Sequence, residues 1–306
     1  MKPALAAALP AVALLGACAS GPPARAPSAA RPPASPPAAA QPASAAAPNA
    51  APIETTLELE GTPAQGGLVF GRVPGWADGL LLDGKPVRIS SDDRFMIAFG
   101  RNAPPAAVLE VLAGGQPRGR MRLSVAPRAW PVENLPGVAK TPVPQPEFEA
   151  IRARELARIR AARARSLDQL DWQKPFTWPA RGRVSGVFGS QRILGGVAAD
   201  PHAGVDIAVA EGTPVLAPQG GTVTLASPPT FSLEGNLVIL DHGYGLSSAF
   251  LHLSRVDVRA GQRVEQGQPV GLSGRTGRAS GPHLHWAMMW NGVRFDPQSV
   301  LPAAGR

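Results

Sequence analysis

Histidine and aspartate residues in the last third of the chain have the spacing of a metal site. His202 and Asp206 are four residues apart, and His283 and His285 are two apart. Side chains two residues apart on a β-strand share a face, so the second pair can face one site. Three such groups can hold zinc and leave a fourth position for water, which the ion acidifies while it polarises an amide carbonyl. Hydrolysis also needs a base and an oxyanion donor, and further imidazoles can supply both.

Each half of this pattern alone is weak evidence for chemistry. An isolated pair such as His283 and His285 is more often a structural feature of a strand. The combination is stronger, because all five histidines lie between residues 202 and 285 and four of them, His252 included, sit in glycine-rich β contexts. This clustering indicates one site.

The region from Phe176 to Pro297 resembles the lysostaphin-like, or LytM-domain, zinc peptidase family. The combination of matching segments is specific to that family. The segments are Trp178-Pro179-Ala180-Arg181-Gly182, Val187-Phe188-Gly189, the HxGxD segment at His202, Asn236 with Asp241-His242-Gly243, His252-Leu253-Ser254 and Gly281-Pro282-His283-Leu284-His285.

The resemblance implies a role for each matching residue. It implies that His202, Asp206 and His285 bind Zn²⁺ and that His252 and His283 are catalytic. All five positions are intact, which is expected of an active enzyme. Asn236 and His242 are expected to support the site indirectly or to form turns, without binding the metal.

The resemblance also implies an activity: zinc-dependent cleavage of peptide crosslinks in bacterial peptidoglycan, most simply as a DD-endopeptidase. Relatives often line the groove with tyrosine, whereas the only tyrosine here is Tyr244, so substrate contacts must partly differ. The alternative is a regulatory lipoprotein that binds the cell wall or activates another hydrolase. A purely structural lipoprotein is a third reading.

Period-two patterns predict a mostly β protein with two folded regions. Residues 53–128 alternate apolar and polar side chains between glycine turns, which predicts a small β-sandwich without catalytic residues. A linker at 129–175 contains a basic helix, predicted for Pro146–Arg165 with Phe148, Ile151, Leu156 and Ile159 as an imperfect apolar stripe. The helix is either a solvated connector or a contact for anionic wall or lipid.

Residues 176–306 are predicted to form the peptidase domain. Two similar glycine-rich hairpin units, Gly212–Val223 and Gly261–Gly271, indicate an internal duplication. Together with the resemblance, they predict an antiparallel β domain of the duplicated hybrid motif type. Gln191–Asp200, just before the first predicted ligand, is expected to form a rim loop over the groove.

The N-terminus has the features of an export signal. Residues 1–17 combine Lys2 with a short apolar run, which indicates a signal peptide. The run ends in Leu15-Gly16-Ala17-Cys18, similar to a bacterial lipobox, so Cys18 is the predicted lipidation site and Ala19 after it favours the outer membrane. Ordinary cleavage near Cys18 is the alternative.

The composition limits the partners. The segment 18–52 is almost entirely Ala, Pro and Ser, and it is predicted to be a disordered tether that lets an anchored domain reach the wall. The net charge of +8 favours an anionic partner, but no nucleic-acid-binding motif is present. Composition alone does not choose among anionic partners; the family resemblance implies peptidoglycan, and the lipobox-like segment predicts a membrane contact through the lipid.

Overall fold

The computed structural model describes residues 53–135 and 145–302. The predicted signal peptide, Cys18 and the tether lie outside these ranges. Within them, no helix combines the length and the apolar character needed to cross a membrane. The fold is mostly β, as the sequence predicts.

The first eight strands, β1–β8, form the N-terminal part. They are Ile53–Glu54, Glu58–Glu60, Leu68–Arg72, Gly79–Leu82, Lys85–Val87, Arg94–Ala98, Ala106–Ala113 and Gln116–Ser124. Five of them form a sheet in the order β1-β8-β7-β4-β5, and the other three form β2-β3-β6. Alternation along β7 buries Ala107, Leu109 and Val111 while their neighbours stay more exposed, as expected for a sheet with one covered face.

The linker contributes one strand and one long helix. β9 is Val132–Leu135 and α1 is Gln145–Arg163, close to the predicted helix. The predicted stripe is partly wrong, because Ile151 is 44% exposed whereas Glu155, Ile159 and Ala162 are buried. The helix turns this different face toward the C-terminal part because Glu155 has hydrogen-bond partners there: it accepts from the backbone N–H and the hydroxyl of Ser232.

Thirteen further strands, β10–β22, form the C-terminal part. They are Arg183–Gly186, Gln191–Leu194, Val197–Ala198, Val205–Ala208, Pro214–Leu216, Gly221–Ala226, Asn236–Gly243, Leu246–Leu253, Arg255–Val256, Arg263–Val264, Pro269–Leu272, Leu284–Trp290 and Val293–Phe295. Short 3-10 helices cover Asp171–Gln173 and Pro297–Val300. The main antiparallel sheet has the order β10-β13-β21-β17-β16-β15-β19, with β22 added to β21.

The two predicted hairpin units pair with each other. β14 of the first unit pairs antiparallel with β20 of the second, and β15 of the first pairs antiparallel with β19 of the second. Each unit therefore completes the sheets of the other, which is the arrangement expected of a duplicated motif.

The N-terminal and C-terminal parts share a continuous apolar core. Trp172, which follows the helix, stacks on Phe70 of β3 with ring centroids 6.0 Å apart and also packs against Tyr244. Near the start of the C-terminal part, the Trp130 ring meets the edge of Phe188 at 5.9 Å. These contacts hold the linker against both the N-terminal and the C-terminal parts.

Candidate metal centre

The pairing of β13 with β21 brings two of the predicted ligands together. Asp206 and His285 are direct partners in the antiparallel register, and Asp206 Oδ1 lies 2.8 Å from His285 Nδ1. His202, just before β13, places its Nε2 3.0 Å from the same oxygen and 2.9 Å from His285 Nδ1. All three side chains are buried, so one nitrogen or oxygen of each converges on a single enclosed point.

The donor set fits a divalent metal. His202 Nδ1 donates its hydrogen to the carbonyl oxygen of Val187 at 3.0 Å, so in the neutral ring Nε2 carries a lone pair. That lone pair faces a carboxylate oxygen, an arrangement that repels unless a proton or a cation stands between the two atoms. A backbone carbonyl that fixes the tautomer of a ligating histidine is the usual second partner in metal sites. Two imidazoles and one carboxylate are ligands that zinc accepts.

The electrostatics keep these groups in their metal-binding forms. Burial alone would raise the pKa of Asp206, but the adjoining imidazoles of His202 and His285 outweigh it and hold that pKa well below its usual range. Burial lowers the pKa of His285 to about 4, against the opposing effect of Asp206. A carboxylate and a neutral imidazole are the protonation states that metal binding requires at neutral pH.

The predicted catalytic histidines lie beside this centre. The rings of His252 and His283 are 4.8 Å apart between centroids, and His283 Nε2 is 3.6 Å from Asp206 Oδ1. Each ring donates from Nδ1 to a backbone carbonyl at 2.8 Å, that of Thr276 for His252 and that of Gly281 for His283. Nε2 is thus the nitrogen that each ring has available for chemistry.

His252 has two unusual features. Its φ is +63°, in the left-handed region that few non-glycine residues adopt, and such strain is typical of functional positions. Burial, followed by the nearby His285 and His283, lowers the pKa of His252 to about 3. The ring is therefore neutral at pH 7.

Sequence reasoning missed Arg192, which binds the second oxygen of Asp206. Its Nη2 contacts Asp206 Oδ2, and its Nε lies 3.3 Å from Glu133 Oε2 on β9 of the linker. Gly186 makes room for this pair, because a Cβ there would lie 2.6 Å from Asp206 Oδ2. Arg192 lies in the segment predicted as a rim loop, which is instead the hairpin of β11 and β12. No local signal in the sequence distinguishes Arg192 from the other arginines.

The two residues expected to give indirect support occupy different places. Asn236 Nδ2 donates to the carbonyl of Leu253, and its backbone N–H donates to Thr276 Oγ1, so it braces the two segments that hold His252. His242 does not contact the cluster. Its Nδ1 donates to the Gly220 carbonyl, its Nε2 lies 2.7 Å from Ser248 Oγ, and its ring meets Phe176 edge-on.

All five predicted metal and catalytic residues line one groove of about 500 Å³. The linker supplies part of its wall: Glu133 and Leu135 come from β9, and several residues come from α1. The groove lining also carries charge, with arginines at 152, 163, 192, 278 and 294.

Comparisons with known proteins bear on this geometry. The family described as Peptidase family M23 matches residues 200–297. A crystal structure described as a peptidase M23 from Pseudomonas aeruginosa is 30% identical with a TM-score of 0.56, and the match covers 79% of this chain and 96% of that one.

Two curated proteins match part of the chain. An uncharacterized metalloprotease of Haemophilus influenzae is 40% identical over 123 residues, 39% of this chain and 25% of that protein. The peptidoglycan DD-endopeptidase ShyA of Vibrio cholerae is 42% identical over 103 residues, 34% of this chain and 23% of that protein. The chain thus spans about a quarter of the length of these curated relatives.

Proposed function

The chain belongs to peptidase family M23, and from that premise we propose that it is a zinc-dependent endopeptidase that hydrolyses peptide crosslinks of bacterial peptidoglycan. The observation that carries the proposal is the convergence of His202 Nε2, Asp206 Oδ1 and His285 Nδ1 within 3.0 Å of one another. In the proposed assignment these three residues hold the metal. Zinc bound there supplies a Lewis acid that polarises a carbonyl and lowers the pKa of water.

His252 and His283 are proposed to move protons and to stabilise the oxyanion. His252 is neutral at pH 7 because burial lowers its pKa, and its Nε2 carries the lone pair because the Nδ1 hydrogen is committed to the Thr276 carbonyl. His283 presents Nε2 beside Asp206, from where it reaches a group bound at the centre. One ring accepts the proton of the attacking water at Nε2, and the other donates from Nε2 to the carbonyl oxygen in the form that carries a proton on both ring nitrogens. Each role contributes roughly 10²–10⁴-fold to such reactions.

The proposed substrate is the direct D-alanyl crosslink between stem peptides, cut as a DD-endopeptidase. Supporting this choice, the similar protein ShyA is named for that activity. We also propose that the chain is exported and anchored to a membrane by lipid on Cys18, with residues 18–52 as the tether. An outer-membrane anchor would keep the groove within reach of the wall.

Digestion of purified, crosslinked peptidoglycan tests the proposal. The zinc-loaded full chain is expected to release uncrosslinked muropeptides, identified by mass spectrometry, and removal of the metal by a chelator should stop the release. Readdition of zinc should restore it. A regulatory lipoprotein would bind the wall and release nothing, so wall binding without any product at all would reject the enzymatic proposal in favour of that alternative.

A further inference from the structure

Helix α1 ends at the groove with an arginine that has no counter-ion among the described residues. Arg163 is half-buried, and its Nε is fully enclosed without a hydrogen-bond partner. Across residues 53–135 and 145–302, the only polar contact recorded for its guanidinium is Nη1 to Met289 Sδ at 3.4 Å. A buried charge in this state is costly, because the lost hydration is not replaced.

A second arginine lies beside it. Arg294 on β22 is the register partner of Met289, the residue that Arg163 contacts. Burial, followed by the positive charge of Arg294, lowers the pKa of Arg163 to about 10. Two like charges therefore stand together in the groove wall.

The acidic group that acts on Arg163 is already engaged. Glu234 is close enough to act on Arg163, but its two carboxylate oxygens accept hydrogen bonds from Arg152 at 2.6 and 2.7 Å. In the described ranges, no carboxylate lies within ion-pair distance of Arg163 or Arg294. The helix dipole favours a cation at the last turn of α1, but it does not account for the unpartnered Nε or for a second cation on another element.

The floor strand fixes where this pair lies relative to the metal centre. His285, Ala287 and Met289 alternate along β21 on one face, and His285 and Ala287 both line the groove. Met289 is four residues beyond His285, which is about 13 Å along a strand. The two arginines thus lie at a distance from the metal centre that an extended peptide covers in roughly four residues.

We propose that Arg163 and Arg294 form a subsite for a free carboxylate of the peptide substrate, about 13 Å along the groove from the metal centre. Arginine is suited to this ligand because its planar fork makes paired hydrogen bonds to a carboxylate. The inference rests on the proposed function and deepens it. It states that the enzyme selects crosslinked peptides by a carboxylate remote from the bond that it cuts.

Kinetics on matched peptides test the subsite. Synthetic crosslinked peptides are prepared in which each free carboxyl is amidated in turn, and kcat/KM is measured with the zinc-loaded full chain. Amidation of one particular carboxyl should lower kcat/KM about ten- to a hundred-fold, mainly through KM, as expected for loss of charge-assisted hydrogen bonds. Arg163→Met and Arg294→Gln should each lose most of this discrimination. Arg154→Gln, an exposed change on the same helix, should keep it.

Binding to the metal-depleted chain separates the two proposals. Affinity for a fluorescent crosslinked peptide and for its amidated counterparts is measured by anisotropy, with thermal unfolding as the check on folding. If no peptide is hydrolysed but the carboxylate preference exists and disappears in Arg163→Met, the proposed function fails and the subsite stands. If hydrolysis proceeds but the wild type shows no preference, or the preference survives in both arginine variants, the subsite is wrong and the proposed function stands.

Discussion

Asp206 Oδ1 lies 2.8 Å from His285 Nδ1, directly across a pair of antiparallel strands, although 79 residues separate the two in the chain. Its other oxygen is held by Arg192. One carboxylate therefore faces the candidate metal point with Oδ1 and is oriented by an arginine through Oδ2. This division predicts that the charge of Asp206, and not only its size, matters for the metal.

Replacing Asp206 with Asn tests the ligand assignment. The amide keeps the shape of the side chain but removes the negative charge that binds a cation. Since a catalytic zinc site uses three protein ligands, we expect the zinc content to fall from about one per chain to well below that. Elemental analysis of purified protein measures it. Asp200→Asn, an exposed acidic residue of the same groove, is the matched control and should keep its zinc. Full zinc occupancy in Asp206→Asn would show that the ligand assignment is wrong.

Variants of the two other histidines separate catalysis from metal binding. His252→Asn and His283→Gln should retain zinc and fold while hydrolysis of crosslinked peptide falls by roughly 10²–10⁴-fold. Asn is chosen at 252 because it tolerates the left-handed backbone there better than Ala does.

The double variant of His252 and His283 gives a further check. If the two rings act as a unit, the loss in the double variant should be smaller than the product of the single losses. Metal content, thermal unfolding and muropeptide release are measured on the same preparations. Loss of zinc from either single variant would mean that a ligand and a catalytic residue have been exchanged in the assignment.

The docking of α1 depends on a buried acidic side chain. Glu155 accepts hydrogen bonds from Ser232 Oγ at 2.6 Å and from Arg152 Nη1 at 3.0 Å. Glu155→Ala leaves these donors without that partner and should lower the free energy of unfolding by about 3 kcal/mol. Urea unfolding measures the change. Glu149→Ala, an exposed change on the same helix, should stay within about 0.5 kcal/mol of wild type; an equal effect of both would contradict the docking role.

His242 makes stability depend on pH. Burial lowers its pKa from an ordinary value near 6.5 to about 4, so the unfolded chain takes up a proton in this range while the folded chain does not. The contribution of neutral His242 to the free energy of unfolding is present above about pH 6.5 and is lost as the pH falls toward 4. The free energy of unfolding falls by about 3 kcal/mol when this contribution is lost completely.

The pH dependence of urea unfolding, compared between wild type and His242→Gln, isolates this contribution. Other buried histidines titrate in both proteins, so they cancel in the difference. The difference in unfolding free energy should shrink as the pH is lowered from 7 to 4.5, because the wild type loses the stabilisation that the variant lacks. A constant difference across this range would mean that His242 does not titrate as its burial implies.

Lipid anchoring makes a separate prediction. Cys18 is the only cysteine of the chain, so Cys18→Ser removes the only proposed lipidation site. The variant should leave the membrane fraction, and mass spectrometry should find lipid on the mature wild-type N-terminus. If the Cys18→Ser protein stays in the membrane fraction as the wild type does, and the wild type carries no lipid, the proposal of a lipid anchor is wrong.

Several features were predictable from local sequence alone. The HxGxD and HxH spacings single out His202, Asp206, His283 and His285, because strand geometry turns residues at such spacings toward one site. Period-two alternation identifies strands such as β3, β6 and β7, and the glycine-rich units at 212 and 261 indicate the duplication. These signals suffice because each depends on residues that are neighbours in the chain.

The tertiary structure decided the rest. The position of the basic helix was predicted from the sequence, but its buried face was not. Glu155 is buried because it accepts hydrogen bonds from Ser232 and Arg152, and not because it belongs to an apolar stripe. Arg192 reaches Asp206 only because β11 pairs with β9 of the linker. Arg163 and Arg294 are likewise 131 residues apart in numbering, and only the packing of α1 against the C-terminal part, where Arg163 contacts Met289, brings their charges together. Such contacts join segments distant in sequence, and no local periodicity encodes which charged side chains those segments will share.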